Sequence, residues 1–297
     1  MRHGRYVLVT AARNEEAYIE KTLESVVSQS VRPVKWVIVS DGSTDRTDEI
    51  VARFAAEWDF IELLRRVANV ERDFGGKVFA IQVAMEHLKN VDYDYVGIVD
   101  ADVSFGPDYY KNAIEKLQRD PRLGIVGGVR FDNYGGTFRR VLVSPNSAGG
   151  PTQFFHRQCY EAIGGYLPLR EGGVDAAAEA TARMKGWTVR TFEDIQLWHH
   201  RLTGTQNQQI LFARYRQGRV DYSVGNHPLF EVVKCIYRMS ERPFVLSSLF
   251  RFCGFCRAAL NHEKRIVPGE VVDFLRKEQL QRLDPFRKWR RRAKTQD

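Results

Sequence analysis

The first hundred residues alternate short apolar runs with stretches of helical periodicity. Tyr6-Val7-Leu8-Val9-Thr10 reads as a buried strand, and Ile19, Leu23, Val26 and Val27 then recur on one helical face. After Pro33, Val34–Val39 reads as a second buried strand. The next helix is expected to turn Ile50, Val51, Phe54 and Ala55 inward, with Ser43 or Thr44 as its cap. Phe60–Leu64 reads as a third strand, a helix is expected from Lys77 to about Leu88 after Gly75-Gly76, and Tyr95–Val99 reads as a fourth strand. Such alternation predicts a mostly parallel sheet with helices on both faces.

The second half is less regular. Gly124–Arg130 reads as a strand, and residues 132–152, rich in Gly, Asn, Ser and Pro, as a loop with some strand. Gln158–Ile163 reads as a short helix closed by Gly164-Gly165, and Asp175–Lys185 as an Ala-rich helix stopped by Gly186. Trp187–Arg190 and Ile195–Trp198 are strand-like, and beyond Thr203 the pattern becomes helical and amphipathic.

In sheets of this kind ligands bind outside the carboxyl ends of the strands. Three polar clusters fall there, each directly after an apolar run: Ala11–Glu16, Asp41–Asp45 and Asp100–Asp102. Two carboxylates spaced as Asp100 and Asp102 can meet a divalent cation and a ribose, and the cation would neutralise a diphosphate. The plainer reading of Asp-x-Asp is a polar strand-end turn. Asp41 can accept from a base N–H or a sugar hydroxyl, or belong to nothing more than a turn and helix cap. Lys77 can reach a phosphate or stand solvated in a first helical turn.

Taken together, Ala11-Ala12-Arg13-Asn14-Glu15, Ser40-Asp41-Gly42-Ser43-Thr44-Asp45, Lys77-Val78-Phe79-Ala80 and Asp100-Ala101-Asp102 resemble, in order and spacing, the nucleotide-binding half of family 2 glycosyltransferases. Arg13 stands where the family has an aromatic residue, and a guanidinium can also stack; Ser40 replaces the first acid of a pair. Gly149-Gly150, Phe154–Arg157 and Ile163–Tyr166 look like the family's acceptor-side segment. Gly186-Trp187 stands at the family's spacing from Asp175, although Val174, Ala177 and Thr181 depart from its acidic and basic positions.

The resemblance covers about two-thirds of the chain. It implies a GT-A, Rossmann-like fold over 1–205, with a nucleotide-binding half at 1–102 and an acceptor-side half at 103–205; residues 206–297 form a helical, basic extension. It implies metal-dependent, inverting transfer of a sugar from a nucleotide-diphosphate-sugar, UDP- or GDP-linked, to a hydroxyl of a glycan or lipid-linked acceptor. Ala11, Arg13, Glu15, Asp41, Lys77, Asp100 and Ala101 would surround the donor. Asp102 and Asp100 would hold Mn2+ or Mg2+, joined by His199 or His200, whose rings alternation puts on opposite faces. Asp175 matches the general base, with Glu171 and Glu179 as alternatives, and Arg201 can contact diphosphate. Two other classes stay open: a nucleotidyltransferase, although Ala11–Glu16 is acidic where a basic phosphate loop is usual, and a catalytically silent nucleotide-sugar-binding protein.

Charge separates the two parts. Glu241–Asp297 carries 14 Lys/Arg against 7 Asp/Glu, while the preceding residues carry 31 against 30. A neutral body with a basic tail points to an anionic partner. Pro243–Leu246, Leu249-Phe250 and Phe252–Phe255, interleaved with Arg242, Arg251 and Arg257, read as a helix in a membrane interface, with Phe286, Trp289 and Arg290–Arg292 as a second anchor; packing on the core is the plainer reading. No recognised fold or aromatic–basic stripe points to nucleic acid. No apolar run is long enough to cross a bilayer, no secretory signal is read, and four cysteines make no disulfide framework. A cytoplasmic location, peripheral on the membrane's cytoplasmic face, is therefore expected. Cys253-Gly254-Phe255-Cys256 lacks the context of a redox or zinc site, and buried thiols on an apolar helix are expected.

Overall fold

The computed structural model describes residues 4–66, 74–169, 172–201, 210–240 and 244–284. Tyr6–Ala12 (β1), Lys35–Asp41 (β2), Ile61–Arg66 (β3) and Tyr95–Val99 (β4) form a parallel ladder, with Val7 opposite Lys35 and Tyr6 opposite Tyr95. β1, β2 and β4 are covered on both faces, which is why they are continuous apolar runs rather than alternating ones. Ile19–Val27 (α1), Thr47–Glu57 (α2) and Phe74–His87 (α3) are the helices between them.

Two local details differ from the sequence reading. Neither Ser43 nor Thr44 caps α2: the Asp45 carboxylate accepts from Thr47 N at 3.0 Å and Thr47 Oγ1 at 2.6 Å. Ser43 and Thr44 instead meet Asn14 across the gap between the first two loops. Helix α3 also begins earlier and takes Gly75 and Gly76 into its first turn. A side chain on Gly76 would come within 3.2 Å of Asp41 Oδ2, so bare backbone allows this turn to lie against the end of β2.

The second half adds Val103–Phe105 (β5), Tyr109–Arg119 (α4), Leu123–Tyr134 (β6), Thr137–Arg140 (β7), Thr152–His156 (β8), Arg157–Ile163 (α5), Val174–Met184 (α6) and Thr188–His199 (β9). The sheet runs β3-β2-β1-β4-β8-β6-β9-β5, with β7 paired to β6. β8 is antiparallel to β4 and β6, whereas β9 is parallel to β6. The two strands expected at 187–190 and 195–198 are one strand, whose register jumps from Gly128–Phe192 to Val129–Gln196. Helix α4 buries Tyr109, Tyr110, Ala113, Ile114 and Leu117 against a core that includes Tyr6, Trp36 and Phe154.

The chain divides into two compact units, residues 1–206 and 207–297. The second contains Ile210–Val224 (α7), Pro228–Tyr237 (α8), a 3-10 turn at Arg238–Ser240, Leu246–Leu260 (α9) and Gly269–Leu283 (α10). All four cysteines are free; Cys159 and Cys235 are buried, but Cys253 is exposed and Cys256 half-buried, unlike the buried pair expected. Glu171, Arg242, Pro243, Phe286, Trp289 and Arg290–Arg292 lie outside the described residues. Among the described residues no helix is long and apolar enough to cross a membrane.

Candidate active site

The parallel ladder brings three loops to one edge. Ala11, half-buried near the end of β1, lies opposite Val39, two residues before Asp41. The loops after β1 and β2 brace each other. Asn14, at φ 55°, accepts from Thr44 N at 2.8 Å; Glu15 N donates to Thr47 Oγ1 at 2.7 Å; Glu16 accepts from Arg46 N at 3.1 Å. Asn14 is a residue type that tolerates this left-handed conformation. Arg13 is half-buried in the same turn. Asp41 Oδ1 is buried, lies 3.5 Å from Arg66 Nη1 and accepts no hydrogen bond among the described residues.

Beyond β4, the Asp100 carboxylate is held by the ammonium of Lys77 from α3. Burial pushes Asp100 up, and the adjoining Lys77 and Asp102 charges then pull it in opposite directions. Burial disfavours the charged Lys77, but Asp100, Asp175 and Asp102 together lift it above the ordinary lysine value. Ala101 is buried between the two acids.

Asp102 faces the other way. Its Oδ1 lies 3.3 Å from His199 Nε2, and its Oδ2 3.7 Å from Arg201 Nε. Burial opposes ionisation of Asp102, yet the bond with His199 and the nearby cations hold it below the ordinary carboxylate value. His199 Nδ1 lies 3.3 Å from Asp132 Oδ1, and β6–β9 pairing sets those two residues opposite each other. Burial works against a charged ring, but Asp102 and Asp132 outweigh it and raise His199 to about 9. His200 turns away: its Nε2 meets Ser104 Oγ at 2.9 Å and its ring stacks on Tyr18. Arg201 clamps Glu15 at 2.5 Å, so the Glu15 carboxylate is occupied in holding a cation. Burial and the neighbouring Asp102 raise Glu15 to about 7 despite Arg201.

Asp175 lies in the first turn of α6, against the backbone at Gly150, where a Cβ would come within 2.5 Å of its Oδ2. Glu179 lies one turn on, and both of its carboxylate oxygens are hydrogen-bonded. It accepts from Ser147 Oγ, Ala148 N and Gln153 Nε2 at 2.8–3.2 Å, and Tyr166 bonds Gln153 behind it. Burial raises Glu179 to about 7, the strongest opposing influence being Arg183. The sequence reading missed Asp132, Arg66 and the Tyr166–Gln153 pair; their roles arise from pairings between residues far apart in the chain, with no local pattern to mark them.

Asp102 and His199 suit a divalent cation. They bring an imidazole nitrogen and a carboxylate oxygen, both buried, to within 3.3 Å of each other. A carboxylate behind Nδ1 is the usual second partner of a metal-binding histidine. Among the described residues no group of three His, Cys, Asp or Glu side chains is set to hold a metal.

Residues 7–166 match the family described as Glycosyl transferase family 2. The chain belongs to that family. Within it, the chain is 33% identical over 118 residues to poly-beta-1,6-N-acetyl-D-glucosamine synthase of Staphylococcus epidermidis, covering 40% of this chain and 26% of that one. The chain thus spans about a quarter of the length of the curated relatives it matches. The mannosyltransferase PcManGT of Pyrobaculum calidifontis, solved with GDP-Man and Mn2+, superposes with a TM-score of 0.58 at 18% identity, over 97% of this chain and 84% of that one. TarS 1–349 of S. aureus, solved with UDP-GlcNAc, gives 0.55 at 14% identity, over 86% and 73%. At these identities the likeness establishes the GT-A glycosyltransferase fold.

Proposed function

We propose that this family 2 glycosyltransferase is metal-dependent and inverting. It moves a sugar from a nucleotide-diphosphate-sugar to a hydroxyl of a glycan or lipid-linked acceptor, at the cytoplasmic face of a membrane. The observation that carries the reading is the gathering of Lys77, Asp100, Asp102, His199 and Asp175 at the carboxyl edge of the sheet, a cation beside acids that come from separate loops.

Asp41, with an unsatisfied carboxylate oxygen, takes the polar edge of the nucleotide, and Ala11 and Arg13 line the same end. Asp100 turns to the ribose and Lys77 to the diphosphate. Asp102 and His199 would hold Mn2+ or Mg2+, with Asp132 fixing the imidazole. The bound ion supplies positive charge for the departing diphosphate. Asp175 removes the proton from the acceptor hydroxyl as its oxygen bonds to the anomeric carbon and the bond from that carbon to the diphosphate breaks. Inversion follows from a single displacement, with no protein nucleophile. Glu179, Gln153 and Tyr166 hold the 147–150 loop against Asp175. The GDP-Man and UDP-GlcNAc of the two solved neighbours support a nucleotide-sugar donor.

Incubation with a panel of nucleotide sugars, Mn2+ and candidate acceptors tests this. Nucleoside diphosphate released together with glycosylated acceptor is expected. Pyrophosphate release would turn the reading to nucleotidyl transfer, and donor binding without turnover to a silent binding protein.

A further inference from the structure

Helix α8 is inside out. Helices on a protein surface ordinarily bury an apolar stripe and expose charge. Here Glu231 is fully buried and Cys235 nearly so, while Leu229, Val233, Ile236 and Tyr237 are 53%, 41%, 57% and 70% exposed. Leu229, Val232, Val233 and Ile236 have the spacing of one helical face, and Val232 is exposed as well.

The buried side is held by charge instead of apolar packing. Lys234 Nζ meets Asp221 Oδ1 of α7 at 2.7 Å, Arg251 of α9 meets Asp221 at 2.6 Å and Glu231 at 3.3 Å, and Asn226 donates to Glu231 at 2.9 Å. A pairing this complete satisfies buried charges that would otherwise be very costly. It also fixes which side of α8 faces out.

The apolar side continues past the helix. Val245 N donates to Met239 O at 3.1 Å, which sets exposed Phe244, Val245 and Leu246 beside exposed Met239, with Leu249 one turn further along α9. A contiguous patch of large apolar side chains marks an interaction surface.

Charge selects the occupant. Residues 207–297 carry 19 Lys/Arg against 9 Asp/Glu, whereas 1–206 carry 26 against 28. Six of those basic residues fall in 285–297, beside Phe286 and Trp289. A second copy would bring two strongly basic units together, which like charge opposes. A bilayer with anionic headgroups takes both the apolar side chains and the positive charge.

We propose that the outer face of α8, with the start of α9, inserts into the interface of an anionic membrane and holds this chain there. This deepens the membrane part of the proposed function and rests on no catalytic assignment, because vesicle binding is read without turnover.

The test is co-sedimentation of the full chain with vesicles of phosphatidylcholine, with and without phosphatidylglycerol. Binding to the anionic vesicles, weakened by added salt, is expected. An Ile236→Asn/Leu249→Asn double variant, changed only at exposed positions, should bind at least about tenfold more weakly, since two apolar side chains that would be buried in the membrane become polar. Circular dichroism should show its helices intact. Failure of the parent chain to bind anionic vesicles, or equal binding by a folded double variant, overturns the proposal. So does a dimer in analytical ultracentrifugation that the same substitutions dissociate, which would assign the face to a second copy. Loss of sugar transfer with vesicle binding retained would count against the catalytic reading alone.

Discussion

His199 and Asp132 sit directly opposite each other on β9 and β6, with Nδ1 of the ring 3.3 Å from the carboxylate. That contact leaves Nε2 turned to Asp102. Sheet register thus decides which of two adjacent histidines faces the acids. Asp132→Asn keeps the side chain's shape and removes its charge, so Mn2+ affinity by calorimetric titration should fall by about 10–100-fold. His200→Gln should leave that affinity within about twofold, because His200 bonds Ser104. Equal losses in the two variants would remove the distinction drawn here.

Asp175→Asn tests the base. A positioned base contributes about 10²–10⁴ in rate, so kcat should fall by that factor while donor affinity, measured by titration without acceptor, changes less than about threefold. Gly150→Ala should reproduce much of this defect. Its new methyl would come within 2.5 Å of Asp175 Oδ2 and force the carboxylate aside, and no donor contact is assigned to Gly150. Full activity in either variant would return the base to another residue.

Glu179 gives a pH signature in stability. Burial raises its folded-state value from an ordinary 4.5 to about 7. The folded chain therefore holds the proton more tightly than the unfolded chain between those values. The associated stability is fully present below about 4.5 and is lost as pH rises through about 7, a change of about 3 kcal/mol. Glu179→Gln cannot titrate. Urea unfolding followed through tryptophan fluorescence reports mainly on the first unit, because Trp36, Trp58, Trp187 and Trp198 lie there. The parent chain should lose stability relative to the Gln variant between pH 5 and pH 8. A difference that stays constant over that range would mean that Glu179 is ionised throughout.

The parts of this fold legible in the sequence are those in which a local pattern coincides with burial. β1, β2 and β4 announce themselves because a strand covered on both faces is an unbroken apolar run, and the acids that follow each run mark the ligand edge. Helix α4 also has a one-sided pattern, with Tyr109, Tyr110, Ala113, Ile114 and Leu117 on one face, but carries no chemical motif. β8 was obscured because Phe154-Phe155-His156 carries a motif resemblance and is too short to show a period. The Asp132–His199 and Arg201–Glu15 contacts join residues 67 and 186 positions apart, and only the folded register brings them together. Asn14 and Asp45 look like ordinary turn and cap residues, yet Asn14 bonds the second loop and Asp45 accepts both from Thr47 N at the start of α2 and from Glu16 N of the first loop, a joint role no single stretch displays.

The second unit depends on two glycines. Helices α7 and α9 touch backbone to backbone: a Cβ on Gly218 would lie 1.8 Å from Arg251 O, and one on Gly254 would lie 2.0 Å from Tyr215 O. Neither obstacle is a flexible side chain, so an added methyl must push the helices apart. The displacement would pull Arg251 from Asp221, leaving buried charge without its partner. Gly218→Ala should therefore cost about 3 kcal/mol or more, beyond the propensity gain of alanine in a helix. Hydrogen exchange read by mass spectrometry resolves where the loss falls. Amides of α7, α8 and α9 should lose protection together, because one ion network spans all three, while those of β1, β2 and β4 keep theirs. Unchanged protection in α7 and α9 would show that the close crossing is not what holds these helices.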